Sequence, residues 1–279
     1  MDPTPLSPYE DPSWHVAISD IIRRNSTNPL DVRDAVLDGV DLSFAKTILD
    51  LGCGFGFMTE AVARRTTTDV PIVGVDACAE NERPYLDRIT ATGRQGHFLC
   101  RHIDAQLDWP DGSFDLIVAS YAMYFFPNAL PEIARILRPR GMFIAVTHSE
   151  KFGENLMELT GLERSNSGLL RLIRAFSSEN GAALLGPWFQ EIERVVYHNM
   201  LAFEGRRRGE LLTYLKFKGP FLVPDSPAGA ELPASLLYAV CSVSLRQGRI
   251  VLDKDDAIFR CKRPRCPRSP STAPSVVRR

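Results

Sequence analysis

The 279-residue chain is 44% hydrophobic and 24% charged, proportions of a globular protein with room for one core and a cap, but not for two full domains. Its net charge of -1 conceals an asymmetry: Lys262, Arg263, Arg265, Arg268, Arg278 and Arg279 put +6 on the last 18 residues and leave -7 on residues 1–261. An acidic body excludes a surface that coats nucleic acid, which needs a basic face.

Pro3, Pro5, Pro8 and Pro12 make residues 1–13 an extended arm. Trp14 to Arg24 carries apolar residues at helical spacing, and a second helix is expected from Pro29 or Asp31 to Leu37, stopping at Gly39. The chain is organised around the stretch Thr47-Ile-Leu-Asp-Leu-Gly-Cys-Gly-Phe-Gly-Phe57. Ile48 to Leu51 reads as a buried strand, and Gly52, Gly54 and Gly56 form the turn into a helix, where backbone can approach a ligand closely. Asp50 discriminates among ligands. A carboxylate gains nothing beside a pyrophosphate, and the spacing here is G-x-G-x-G rather than the dinucleotide G-x-G-x-x-G. It suits a cationic ligand such as S-adenosylmethionine, which carries an ammonium and a sulfonium.

At Ile48-Leu-Asp-Leu-Gly-Cys-Gly-Phe-Gly56 the chain resembles motif I of the class I S-adenosylmethionine-dependent methyltransferases, of the small-molecule, ubiquinone/menaquinone-biosynthesis-like type. That resemblance implies a lid over the cofactor from residues 1–45, with Tyr9, Trp14 and His15 as candidate contacts; packing against the core is the plainer alternative. Thr59 to Arg65 continues the helix, and Pro71 to Asp76 is a second strand whose terminal acid lies 20 residues beyond Gly56. This spacing fits a carboxylate gripping a ribose diol, although a strand-ending Asp also serves as a turn residue. A third strand is expected over Gly96–Ile103, then Asp104-Ala105, a turn at Pro110-Asp-Gly-Ser113 and a fourth strand over Phe114–Ala119. By the resemblance, Asp104 accepts from the adenine amino group and the Ala105 N–H faces the ring; a helix cap is the alternative for Asp104. Cys53, Ala77 and Ser120 complete the expected cofactor-binding set of Asp50, Gly52, Gly54, Gly56, Asp76, Asp104 and Ala105.

A helix over residues 131–138 and a fifth strand over 141–147 continue the alternation, giving a Rossmann-like, seven-stranded, mostly parallel sheet with helices on both faces. Residues 46–149 form the expected cofactor-binding core and 150–190 an inserted helical cap. Residues 191–261 hold the rest of the sheet: a sixth strand over 191–201, a helix over 209–218, a loop over 220–233, and strands over 248–253 and 256–261, the latter reversed by the resemblance. The Pro-, Ser- and Arg-rich tail at 262–279 reads as disordered.

Methyl transfer from a sulfonium is an in-line displacement, so holding acceptor, methyl and sulfur collinear is the main task, and an acceptor with a proton to lose also needs a base. The ends of strands four and five are the address. His148 is the first candidate base, with capping of the following helix or a hydrogen bond to the insertion as its structural alternatives. Tyr121 and Tyr124 are the other catalytic candidates, to line an apolar pocket, face the developing sulfonium charge or bind an acceptor oxygen, with plain core packing as the alternative for each, and Phe125 and Phe126 suggest an apolar, aromatic acceptor. His15, His97, His102 and His198 show no partner spacing. Ser120-Tyr-Ala-Met123 replaces the Asn/Asp-Pro-Pro-Tyr/Phe of amino-methylating DNA and glutamine enzymes, and Arg206 to Arg208 reads as solvated surface.

Six cysteines, at 53, 78, 100, 241, 261 and 266, form no C-x-x-C pair and read as buried thiols; Cys261 and Cys266 have no further ligands between them, so no metal is expected. With no apolar run of about 18 residues and no leader-like N-terminus, a cytoplasmic protein without membrane contact is expected. The reading is therefore methylation of a small-molecule acceptor at O, N or C, with no DNA partner and a homodimer admitted as an assembly. Six lysines against 27 arginines favour a GC-rich bacterial source and secondary-metabolite tailoring. The alternatives are a tRNA or protein methyltransferase and an inactive scaffold subunit.

Overall fold

The computed structural model describes residues 9–67, 69–160, 168–222, 237–238, 240, 242 and 248–265. The expected arm before Tyr9, the 223–233 part of the expected loop and the tail beyond Arg265 lie outside the described residues. Helix α1 (Pro12–Asn25) begins where the Asp11 carboxylate accepts from the backbone N–H groups of Ser13 at 3.0 Å and Trp14 at 3.2 Å. Pro12 occupies the first turn, where its missing N–H costs nothing, and Arg23 and Arg24 close the last. Asp31 caps α2 (Val32–Leu37) in the same way.

The central sheet takes β1 (Ile48–Leu51), β2 (Ile72–Asp76), β3 (Gly96–Cys100), β4 (Phe114–Ser120), β5 (Leu137–His148), β6 (Phe189–Tyr197) and β9 (Asp256–Pro264) in the order β3-β2-β1-β4-β5-β9-β6. Strands β1 to β5 are parallel; β9 runs antiparallel between β5 and β6. The expected fold class and reversed last strand are both present. Successive residues of one strand enter opposite cores: Leu49 and Phe143 pack on one face, Ile48 and Ile144 on the other. This two-sided burial is why the strands read as continuous apolar runs. Helices α3 (Phe57–Arg65), α4 (Glu82–Thr90), α5 (Leu130–Ile136) and α8 (Gly181–Leu185) connect or flank the strands.

A second, two-stranded sheet pairs β7 (Met200–Glu204) with β8 (Arg249–Asp253). Here the structure corrects the expected sixth strand over 191–201. Pairing with β9 ends at Tyr197, and buried Asn199 turns the chain away: its side-chain oxygen accepts from the N–H groups of Thr27 and Asn28, both at 3.1 Å. The third strand stops at Cys100 rather than Ile103, and the helix expected over 209–218 runs on as α9 (Arg208–Leu222). Cys100 is exposed at the edge strand, whereas Cys53, Cys78 and Cys261 are buried free thiols; Cys241 and Cys266 lie outside the described residues.

A separate core stands above the carboxyl ends of the central strands. Ile18 and Ile21 of α1, Leu156 of α6 (Glu154–Thr160), Ile173 of α7 (Gly168–Ile173), Phe203 of β7, Leu215 of α9 and Leu252 of β8 pack together in it. The segment after β5 thus shares this cap with the N-terminal helix and the β7–α9–β8 insertion. Among the described residues no helix is long and apolar enough to cross a membrane.

Candidate active site

A cavity of about 740 Å³ lies between the cap and the carboxyl ends of β1, β2, β4 and β5, where the strand order reverses. Of the expected site residues, Asp50, Gly52, Cys53, Gly54, Asp76, Ala77, Ser120, Tyr121, Tyr124 and His148 line it. Gly56 instead starts α3, with φ +85°. Asp104 and Ala105 are exposed and stand outside the lining, which Arg101, His102 and Ile103 supply. Strand β3 has ended by then, and the Arg101 N–H donates to the Asp76 carbonyl at 2.8 Å, so the residues just after the strand meet the cavity.

The glycine loop is pressed against neighbouring side chains. Gly52 has φ +70°, and a Cβ there would stand 2.4 Å from that of Ala122. The Gly54 N–H donates to Asp76 Oδ2 at 2.8 Å, while Asp76 Oδ1 accepts from the Cys78 N–H at 2.9 Å and Asn81 Nδ2 at 3.2 Å. The expected ribose ligand therefore also braces the loop. Asp50 is 2% exposed; Thr59 Oγ1 donates to its Oδ2 at 2.5 Å, and Oδ1 is buried without a partner. Burial, with Asp76 adding to it against the Thr59 bond, pushes this carboxyl up to about 7. A buried carboxylate oxygen without a donor fits a cationic group. Ser120 Oγ and His15 Nδ1 are likewise buried without hydrogen-bond partners beside the cavity. S-adenosylmethionine, with its cationic methionine end and polar nucleoside, fits such a donor and acceptor set.

The other end is built around His148. In the antiparallel register His148 stands directly opposite Asp256, and Nδ1 lies 2.7 Å from Asp256 Oδ1. Asp256 Oδ2 accepts from Tyr121 OH at 2.8 Å and Lys254 Nζ at 2.5 Å. Burial would raise the Asp256 carboxyl, but Lys254 and the His148 bond outweigh it and hold it below the usual range. Burial, then Lys254, push His148 down to about 4 against the pull of Asp256. The imidazole is therefore neutral near pH 7, donates through Nδ1 to the carboxylate and keeps Nε2 as an acceptor. Its ring stacks on Phe152 at 4.4 Å and meets Tyr121 at 4.8 Å and Tyr124 at 6.1 Å. Tyr121 has φ +55°, a costly conformation for a tyrosine, held by its N–H to the Val146 carbonyl at 2.8 Å.

Of the three lid candidates, Tyr9 and His15 line the cavity and Trp14 packs behind them on Phe217 at 5.7 Å. Sequence reasoning missed Asp256, Lys254, Lys218 and Asn81, which also line it. Among the described residues no three His, Cys, Asp or Glu side chains gather as a metal site.

Residues 48–141 match the model of a methyltransferase domain. The chain is 33% identical over 107 residues to the ubiquinone/menaquinone biosynthesis C-methyltransferase UbiE of Hydrogenovibrio crunogenus, covering 37% of this chain and 42% of that one. It is 22% identical over 210 residues to the ubiquinone biosynthesis O-methyltransferase of Vibrio cholerae, covering 74% and 81%. The chain spans less than half the length of the first curated relatives it matches, 42%, 43% and 49%. A putative methyltransferase from Bacillus halodurans superposes with a TM-score of 0.52 at 14% identity, covering 84% of this chain and 99% of that one, and phosphoethanolamine N-methyltransferase 2 of Haemonchus contortus with 0.54 at 15%, covering 91% and 58%; both show the fold. The glycine loop, the strand order and the matched segment agree: residues 48–141 carry a methyltransferase domain.

Proposed function

We propose that the protein is an S-adenosylmethionine-dependent methyltransferase acting on a small-molecule acceptor at O, N or C, with His148 as general base. The observation that carries the reading is the buried His148–Asp256 pair at the strand ends, bonded through Nδ1 and lining the same cavity as the glycine loop. When bound, S-adenosylmethionine supplies an electrophilic methyl group whose transfer leaves a neutral thioether. Asp50, Ser120 and the backbone of Gly52 to Gly54 would hold its methionine end, and Asp76 its ribose. Tyr9, edge-on to Phe217, and His15, stacked on Phe217 and edge-on to Phe55, would close the cavity against water. Nε2 accepts the acceptor's proton, and Asp256 steadies the imidazolium that forms. A base favours an acceptor atom with a proton to lose, a hydroxyl before a carbon. Tyr124, Phe125 and Phe126 give the cavity aromatic walls, and two relatives are named for methylation in quinone biosynthesis; a planar aromatic acceptor agrees with both.

Calorimetric titration with S-adenosylmethionine, S-adenosylhomocysteine and, as control, NAD tests the cofactor, and labelled methyl transfer to a panel of phenols tests the chemistry. Micromolar binding of the first two and none of NAD is expected. Failure to bind either, with the protein folded, would favour the inactive-scaffold alternative.

A further inference from the structure

Three donors share one buried carboxylate at the end of β5. Asp256, 1% exposed, accepts from Tyr121 OH and Lys254 Nζ on Oδ2, and its Oδ1 lies 2.7 Å from His148 Nδ1. A carboxylate so deeply buried requires a compensating cation, and two of the groups bonded to it can carry that charge. An ordinary ammonium holds its proton about 4 pKa units more tightly than an ordinary imidazolium. Lys254 is therefore the counter-ion, and His148 is left neutral. The lysine is fixed in place: its ammonium lies 4.8 Å from the centroid of the Tyr121 ring and 5.8 Å from that of Phe152, the ring stacked on His148.

We infer that Lys254 is a positioning residue for the base: it balances the charge of Asp256, so that the carboxylate orients the imidazole through Nδ1 without drawing a proton onto Nε2. The inference rests on the proposed reading of His148 as base. Without the lysine the same carboxylate would favour the imidazolium, and Nε2 would be a donor when the acceptor arrived. The base that results is weak, and the reaction tolerates that. As the acceptor oxygen bonds the methyl carbon, its O–H becomes strongly acidic; the proton passes to Nε2, the S–C electron pair stays on sulfur, and one positive charge moves from sulfonium to imidazolium. Being unprotonated beforehand matters more here than high basicity. Among the other groups facing the ring, Lys218 from α9 acts in the same direction as Lys254, and Tyr121 and Tyr124 at the end of β4 are neutral phenols, raised chiefly by burial. Tyr197 of β6 and Tyr214 of α9, near Asp256, are raised by burial as well. Glu179, after α7, is engaged by Ser149 Oγ and the Glu150 N–H.

The test is an NMR pH titration of the imidazole nitrogens in the full chain labelled with nitrogen-15, His148 being identified by the signal lost in His148→Ala. In the wild type a ring protonated only on Nδ1 is expected at pH 7 and still at about pH 5.5, with a midpoint of about 4. In Lys254→Met the midpoint should climb above the ordinary 6.5, and Lys254→Arg should keep it low. Asp256→Asn/Lys254→Met, which removes both charges, should bring it back below 6.5. A wild-type His148 that titrates at 6.5 or above, a midpoint unmoved in Lys254→Met, or one as high in the double variant as in Lys254→Met would each overturn the inference. Should Lys254→Met fail to fold, Lys254→Gln, which keeps a donor but no charge, is read in its place. Binding of S-adenosylhomocysteine is measured separately: its absence in the wild type counts against the methyltransferase reading, whereas the protonation of His148 in the ligand-free protein tests the role of Lys254 alone.

Discussion

Asp50 gives the cofactor end a pH signature. Its carboxyl stands at about 7, raised chiefly by burial, with Oδ1 facing no donor. A cation beside Oδ1 favours the ionised form, so binding expels the proton, and affinity must fall as pH falls through 7. If the bound carboxyl returns to the ordinary range, the proton costs a factor of about 2 at pH 7 and about 30 at pH 5.5, a roughly 15-fold weakening or about 1.6 kcal/mol. Titration with S-adenosylhomocysteine in buffers of different ionisation enthalpy should show about half a proton released at pH 7 and nearly one at pH 5.5. Asp50→Asn should bind more weakly and with no such slope. Thermal stability is the wrong readout, because the signs oppose. Asp50, raised on folding, loses stability as pH climbs toward 7, whereas His148 and His15, both lowered to about 4, lose it as pH falls from 6.5 toward 4. A slope that survives in Asp50→Asn, or no slope in the wild type, would refute the assignment.

His148→Ala should lower turnover by about 10²–10⁴ while leaving the Kd for S-adenosylhomocysteine within about twofold; unchanged turnover removes it as base. Asp256→Asn leaves the buried Lys254 ammonium uncompensated, and a loss of about 3–5 kcal/mol in denaturant melts is expected, with stability but not activity returning in Asp256→Asn/Lys254→Met. Gly52→Ala combines a positive φ with a clash at 2.4 Å and should cost about 3 kcal/mol, lowering the Tm by about 6–12 °C and abolishing cofactor binding.

The cofactor half was legible because it is local. Strand, glycine loop, helix and next strand lie between Ile48 and Asp76, and each step has its own signal: an apolar run, glycines where φ is positive, a strand-ending acid. The lining beyond β3 was less so, because it depends on where β3 ends: the strand stops three residues earlier than expected, and Arg101 to Ile103 line the cavity where Asp104 does not. His148 was found from its address at the end of a parallel strand, but its partner was not. Asp256 opens the strand expected over 256–261, one of three acids in Asp253-Lys-Asp-Asp256, and 108 residues separate it from His148.

Only register selects among those acids. A one-residue slip of β9 against β5 would set Asp255 or Ala257 opposite His148, and would also send Ile258 and Phe259, both fully buried and packed on opposite faces of the sheet, to the wrong sides. The apolar run that follows Asp256 therefore fixes the register through packing, and Asp256 is the last polar residue before that run begins. The same pairing completes the core and delivers the carboxylate to the imidazole. A substitution that loosens β9, such as Phe259→Ala, should therefore lower both stability and turnover without touching the cavity.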